Sequence, residues 1–199
     1  YTAAGDKTAN YGSATTLRAG IWQDMWTNAT PGLKNNNYGA FAIMKFDVSE
    51  YSGKLTGATL NITAANSDTR SRDLYIGYYT GTDWTEAEVT AENSGIVARA
   101  ATGLNIGNFG VLGTVTNGKT MPLSYSNEAF LNYLNNDADG IVTLIFYTLT
   151  KNININSKEA ESGTPSLVLE YTTESVYTAT FTETNDVSPV ITIYSDEAM

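Results

Sequence analysis

The chain reads as an all-β protein, a β-sandwich of jelly-roll type with one short helix, and three features carry that expectation. Apolar residues recur at every second position, the repeating runs are short, and Gly, Asn, Asp or Pro bounds each of them. Leu17, Ala19 and Ile21 alternate with Arg18, Gly20 and Trp22. Leu60, Ile62 and Ala64 alternate with Asn61 and Thr63, and Leu74, Ile76 and Tyr78 with Tyr75, Gly77 and Tyr79. A strand turns successive side chains to opposite faces, so each run predicts one buried face. Segments 41–48, 141–149, 153–156 and 166–171 continue the series. Many short strands separated by polar turns are the pattern of a sandwich or jelly roll. The one helical candidate begins at Ser126 and Asn127, two capping residue types, and places Phe130, Leu131 and Leu134 on a shared face. Segment 91–115 is Gly-rich and weakly periodic, which predicts a long connection with one or two short strands.

Composition narrows the function. The 199 residues contain no Cys and no His, which removes disulfides, thiolate nucleophiles and the imidazole base. A net charge of −10 argues against a nucleic-acid partner, because phosphate binding needs a basic face. No apolar run approaches the length of a membrane span. A Cys-free chain rich in Thr, Asn, Ser, Gly and Tyr fits a bacterial protein outside the cell or on its surface. Its first residue is Tyr with no leader behind it, which predicts a piece of a longer precursor.

Several residues carry candidate chemistry. Asp83 and Glu86, in Asp83-Trp84-Thr85-Glu86, read as loop anchors around a core Trp rather than as the acid and base of a glycosidase. Asp6 with Asn10, or Asp47, offers hard oxygen ligands for a structural calcium ion. Asp137 and Asp139, before Gly140, open like a calcium loop but lack its downstream Glu, and read as a solvated turn. Strand parity turns Arg18, Trp22, Lys45 and Lys158 outward, together with Tyr75 and Tyr79. Arg18, Lys45 and Lys158 make a positive stripe if their strands are neighbours. The aromatics offer faces on which sugar rings stack.

The motifs also resemble a known family. Thr8-Ala9-Asn10-Tyr11-Gly12 leading to Leu17 resembles the opening signature of DNRLRE-type domains, carbohydrate-binding module family 96. Met44-Lys45-Phe46-Asp47-Val48, Leu55-Thr56-Gly57-Ala58-Thr59-Leu60, Asp83-Trp84-Thr85-Glu86 with Val89-Thr90, and Ser157-Lys158-Glu159-Ala160 with Pro165-Ser166-Leu167-Val168 follow in the family's order, between about residues 5 and 171. The resemblance implies a non-catalytic jelly-roll module of secreted or surface proteins, with alginate as the associated substrate class. It further implies that Lys45 and Lys158 meet uronate carboxylates. Ala40-Phe41-Ala42 stands where the family often carries Arg or Lys, which widens the expected ligands to neutral glycans.

The resulting expectation is a jelly-roll carbohydrate-binding module over residues 1–171. Residues 172–199 are expected to form a linker with the start of a further module or extra strands. Its partners are a polysaccharide and the neighbouring domains of the parent chain, which can include a polysaccharide-degrading enzyme. The alternative is a structural spacer of a multidomain surface protein; a third reading is a lyase or hydrolase that uses Tyr with Lys or Arg.

Overall fold

A computed structural model describes residues 8–21, 39–49, 54–81, 84–90, 93–94, 98–99, 103–104, 106–149 and 153–172. In chain order the elements are β1 (Thr16–Ile21), β2 (Gly39–Ala40), β3 (Ala42–Asp47), β4 (Lys54–Asn66), β5 (Arg72–Tyr78), β6 (Ala98–Arg99) and β7 (Gly103–Leu104). They continue with β8 (Gly107–Val115), β9 (Lys119–Tyr125), α1 (Glu128–Asn135), β10 (Ile141–Tyr147), β11 (Ile153–Asn156) and β12 (Ser166–Thr172). Among the described residues the fold is an all-β sandwich with one short helix.

One sheet is built around β4, which is long enough to serve several partners. β9 lies along one edge, while β11 and then β12 follow one another along the other, with residues 157–165 looping out between them. β1 pairs with β11 and β2 with β1, completing that sheet. The second sheet has the order β3-β10-β5-β8, every pair antiparallel. β6 and β7 form a separate two-stranded ribbon.

The alternation seen in the sequence maps onto the burial. Ala19, Leu60, Ile62, Ala64, Ile153 and Ile155 from the first sheet meet Ala42, Met44, Leu74, Ile76, Leu144 and Phe146 from the second in one core. Removing that apolar surface from water is the main force holding the sheets together, at roughly 25 cal/mol per Å² buried.

β10 departs from alternation, because its residues from Val142 onward are buried on both faces. Ile145 and Tyr147 point away from the main core and are covered by a second cluster containing Phe41, Ile43, Tyr75, Tyr79 and Ile106.

The weakly periodic region contains more strand than its pattern suggests. β8 runs for nine residues and pairs with β5 through two irregularities in register. Its glycines obscure the alternation but permit the pairing: a Cβ on Gly77 would lie 2.2 Å from the Gly107 carbonyl oxygen. β9 contains Pro122, which lacks an N–H, and it is accommodated because, among the described residues, β9 pairs on one side only, with β4.

Asn127 caps α1 by accepting a 2.7 Å hydrogen bond from the Phe130 N–H. Its Nδ2 donates to the Tyr125 hydroxyl, which in turn donates to the Phe109 carbonyl at 2.8 Å. At the other end, the Asn135 side chain both accepts from and donates to the Leu55 backbone, at 2.9 and 3.0 Å. Phe130 and Leu134 are buried between these anchors, so the helix closes one end of the sandwich. β12 ends at Thr172; the expected linker beyond it lies outside the described residues.

Candidate functional site

The recognisable motifs come together in space, and they do so by binding one another. Asn10 Nδ2 donates to the carbonyls of Glu86 and Val89, each at 2.8 Å, while its Oδ1 accepts from the Gly12 N–H at 3.0 Å. Gly12 is required by this contact, since a Cβ there would lie 2.4 Å from the Glu86 carbonyl oxygen. The Ser157 hydroxyl donates to the Ala14 carbonyl at 2.6 Å, drawing in the loop that carries Lys158.

Both lysines expected to read a ligand meet the same loop. Lys158 Nζ lies 2.7 Å from Glu86 Oε2 and 3.5 Å from Glu159 Oε1. The Glu86 carboxylate, by hydrogen bond and by charge, holds the Lys158 ammonium above its ordinary range. Lys45 Nζ donates to the Trp84 carbonyl at 2.6 Å and sits 4.5 Å from the centre of the Trp84 ring. Trp84, expected in the core, is instead half-buried on the outer face of the second sheet, where its indole N–H donates to the Thr143 hydroxyl at 3.3 Å.

Arg18 is exposed on β1, whose neighbour is β11, but β3 belongs to the other sheet. Arg18, Lys45 and Lys158 therefore do not lie on three adjacent strands. Tyr75 is half-buried, its ring stacked on Tyr147 with centroids 5.4 Å apart. Trp22, Asp6 and Asp83 lie outside the described residues.

The candidate calcium ligands that are described have other partners. The Asn10 side chain is engaged by three backbone groups. Asp47 Oδ1 accepts from the Ser49 hydroxyl and amide, and those bonds hold its carboxyl below the usual range. Among the described residues, no group of three or more Asp or Glu side chains is placed to share a metal ion.

A different site opens where α1 packs beside the end of β5. Tyr78, Tyr79, Phe109 and Tyr133 line a cleft of about 610 Å³ with Asp137 and Asp139, and Asn108, Asn132 and Asn136 stand along it. That volume lies within the roughly 300–1,000 Å³ usual for small-ligand sites. The Tyr133 ring stacks on Tyr78 at 4.3 Å and meets the edge of Phe109 at 5.4 Å. These contacts hold the aromatic wall in place. The hydroxyls of Tyr78, Tyr79 and Tyr133 and the Asn132 side-chain amide make no hydrogen bond among the described residues.

The electrostatics of the cleft are negative. Burial, the carboxylates of Asp137 and Asp139 and the nearby Tyr78 push the Tyr133 phenol up to about 12, so it remains a neutral hydrogen-bond donor. Burial and the adjacent Asp139 push the Asp137 carboxyl up, against the lowering effect of the Gly140 and Ile141 amides. Asp137 Oδ2 is shielded from solvent and receives no hydrogen bond among the described residues. The turn itself is firmly held: Gly140 has φ of 71° and its carbonyl accepts from the Val48 N–H at 2.7 Å. The turn is thus anchored, with Asp137 and Gly140 half-buried, while Ala138 and Asp139 are exposed as its composition suggests.

Parity alone does not reveal this cleft, because it turns Tyr78 to the inner face and Tyr133 lies on the helix. The available signal is Asn132 on the helix and Asn136 at its C-terminal cap, four residues apart and leading to the Asp turn. No family model matches this chain, and no curated protein matches it in sequence.

Proposed function

We propose that this chain is a non-catalytic carbohydrate-binding module that attaches a larger secreted or surface protein to a polysaccharide, with the aromatic cleft beside α1 as its sugar site. The observation that carries this reading is the convergence of three mutually packed aromatic rings, Tyr78, Phe109 and Tyr133, on a cleft also lined by Tyr79, with phenol hydroxyls and a side-chain amide that have no partner among the described residues. Aromatic surface packs against the C–H faces of sugar rings, and polar groups of this kind take the hydroxyls. The order of the five sequence motifs supports the same reading.

A second reading, a structural spacer, is favoured by one specific observation. Asn10, Lys45, Glu86 and Lys158 bind other parts of the chain. A spacer needs no more than that bracing.

Affinity electrophoresis through neutral and acidic polysaccharides separates these readings. The glycan module predicts retardation corresponding to a Kd in the micromolar to millimolar range. Tyr133→Ala should weaken it at least tenfold, and Lys45→Ala with Lys158→Ala should leave it within twofold. Retardation that disappears in the lysine variant and fades with salt would place the site on the motif loops, and no retardation across the panel would leave the spacer.

A further inference from the structure

We infer that the cleft beside α1 selects neutral, hydroxyl-rich sugars over uronates, and that Asp137 and Asp139 make this choice. The inference rests on the cleft being the glycan site. Among the described residues, Asp137 and Asp139 are the charged side chains that line it, and no Lys or Arg does. A uronate carboxylate entering the cleft would lose water, find no cation and face two acidic groups. Like-charge juxtaposition of this kind is a strong means of rejecting a wrong partner.

A neutral sugar meets the opposite situation. Its hydroxyls are donors as well as acceptors, and hydrogen bonds to an ionised acceptor are roughly twice as strong as neutral ones. Asp139 Oδ1 already accepts from the Ile141 N–H at 2.9 Å, so the turn is fixed while its carboxylate retains further acceptor capacity. Tyr133 complements it as a donor that stays protonated across the physiological range. A ring stacked against the aromatic wall can thus donate to the Asp turn and accept from the phenol.

The test is affinity electrophoresis at low salt with the full chain, using galactomannan, xyloglucan and a mixed-linkage β-glucan as neutral probes and alginate and polygalacturonate as acidic ones. The wild type should be retarded by at least one neutral polymer at least tenfold more strongly than by either uronate. Asp137→Asn combined with Asp139→Asn should reduce that ratio at least fivefold, chiefly by admitting the uronates. The single Asp139→Asn, at the more exposed position, should move the ratio in the same direction if the double variant folds poorly.

A wild type that binds uronates as tightly as neutral polymers, with both weakened by Tyr133→Ala, would overturn the selectivity while leaving the cleft as the site. An unchanged ratio in the Asp variants would overturn the assignment of that choice to Asp137 and Asp139. Glycan binding indifferent to Tyr133→Ala, or no retardation by any probe, would overturn the cleft and the selectivity together.

Discussion

The motif loops and the aromatic cleft differ in what their polar groups do within the chain. Around Glu86, the functional-looking side chains hold the fold: Asn10 binds two distant carbonyls, Lys45 lies across Trp84, and Lys158 pairs with Glu86. Around Tyr133, hydroxyls and an amide line open space without a partner among the described residues. Residues that recur in recognisable motifs can therefore be those that join segments far apart in sequence, while the proposed ligand contacts lie on a surface with no such signature.

Substitutions should separate the two regions. The largest effect is expected at Phe130, which is fully buried beneath the helix and touches Phe109 edge-on at 5.5 Å. Phe130→Ala should cost about 3–5 kcal/mol. Chemical denaturation measures this, and the cleft should lose its wall as the helix loosens. Trp84→Ala should cost less, about 2 kcal/mol, because the ring is only half-buried on the outer face. A Trp84→Ala chain that stays folded, with its midpoint reduced but its unfolding slope unchanged, fits the outer position; complete unfolding would return that Trp to the core.

Gly12→Ala sharpens the bracing role of the motif loops. The added methyl would press on the Glu86 carbonyl, and overpacking of this kind costs about 1–3 kcal/mol. Its expected signature is a lowered melting temperature with glycan retardation unchanged. The Lys158 and Glu86 pair is exposed, so a double-mutant cycle should find a small coupling that disappears in high salt.

The smallest effects are the pH responses of two carboxyls, which have opposite signs. The Asp137 pKa is raised on folding, so the native state binds more protons and stability falls as pH rises from about 3.8 through the folded value. Asp137→Asn should remove that fall, giving a chain that melts higher than the wild type at neutral pH. Asp47 is lowered on folding, so its contribution is present above 3.8 and is lost as pH falls through its folded value. Asp47→Asn should therefore flatten the acid limb of the melting profile. Melting curves between pH 3 and 8 measure both; equal responses at the two positions would contradict the assignment.

Much of the fold was legible because alternation is a local signal. Ala19, Leu60, Ile62, Leu74, Ile76, Ile153 and Ile155 all follow it inward. β9 escaped because Pro122 argues against a strand until its edge position is known, and the pairing of β8 was hidden by glycines whose role is close backbone approach. Parity turns Tyr75 away from the main core, where it is found, but nothing local shows that Tyr147 stacks on it. The cleft is less legible still, since Tyr78, Phe109 and Tyr133 come from β5, β8 and α1 and meet only after the helix closes the sandwich.

A two-dimensional NMR titration of the uniformly labelled chain with the neutral oligosaccharide whose polymer retards it most locates the site residue by residue. Saturating shifts are expected at Tyr79, Phe109, Tyr133 and Asp139, with Lys45, Trp84, Glu86 and Lys158 unmoved. Shifts confined to Lys45, Trp84, Glu86 and Lys158 would contradict the cleft as the site.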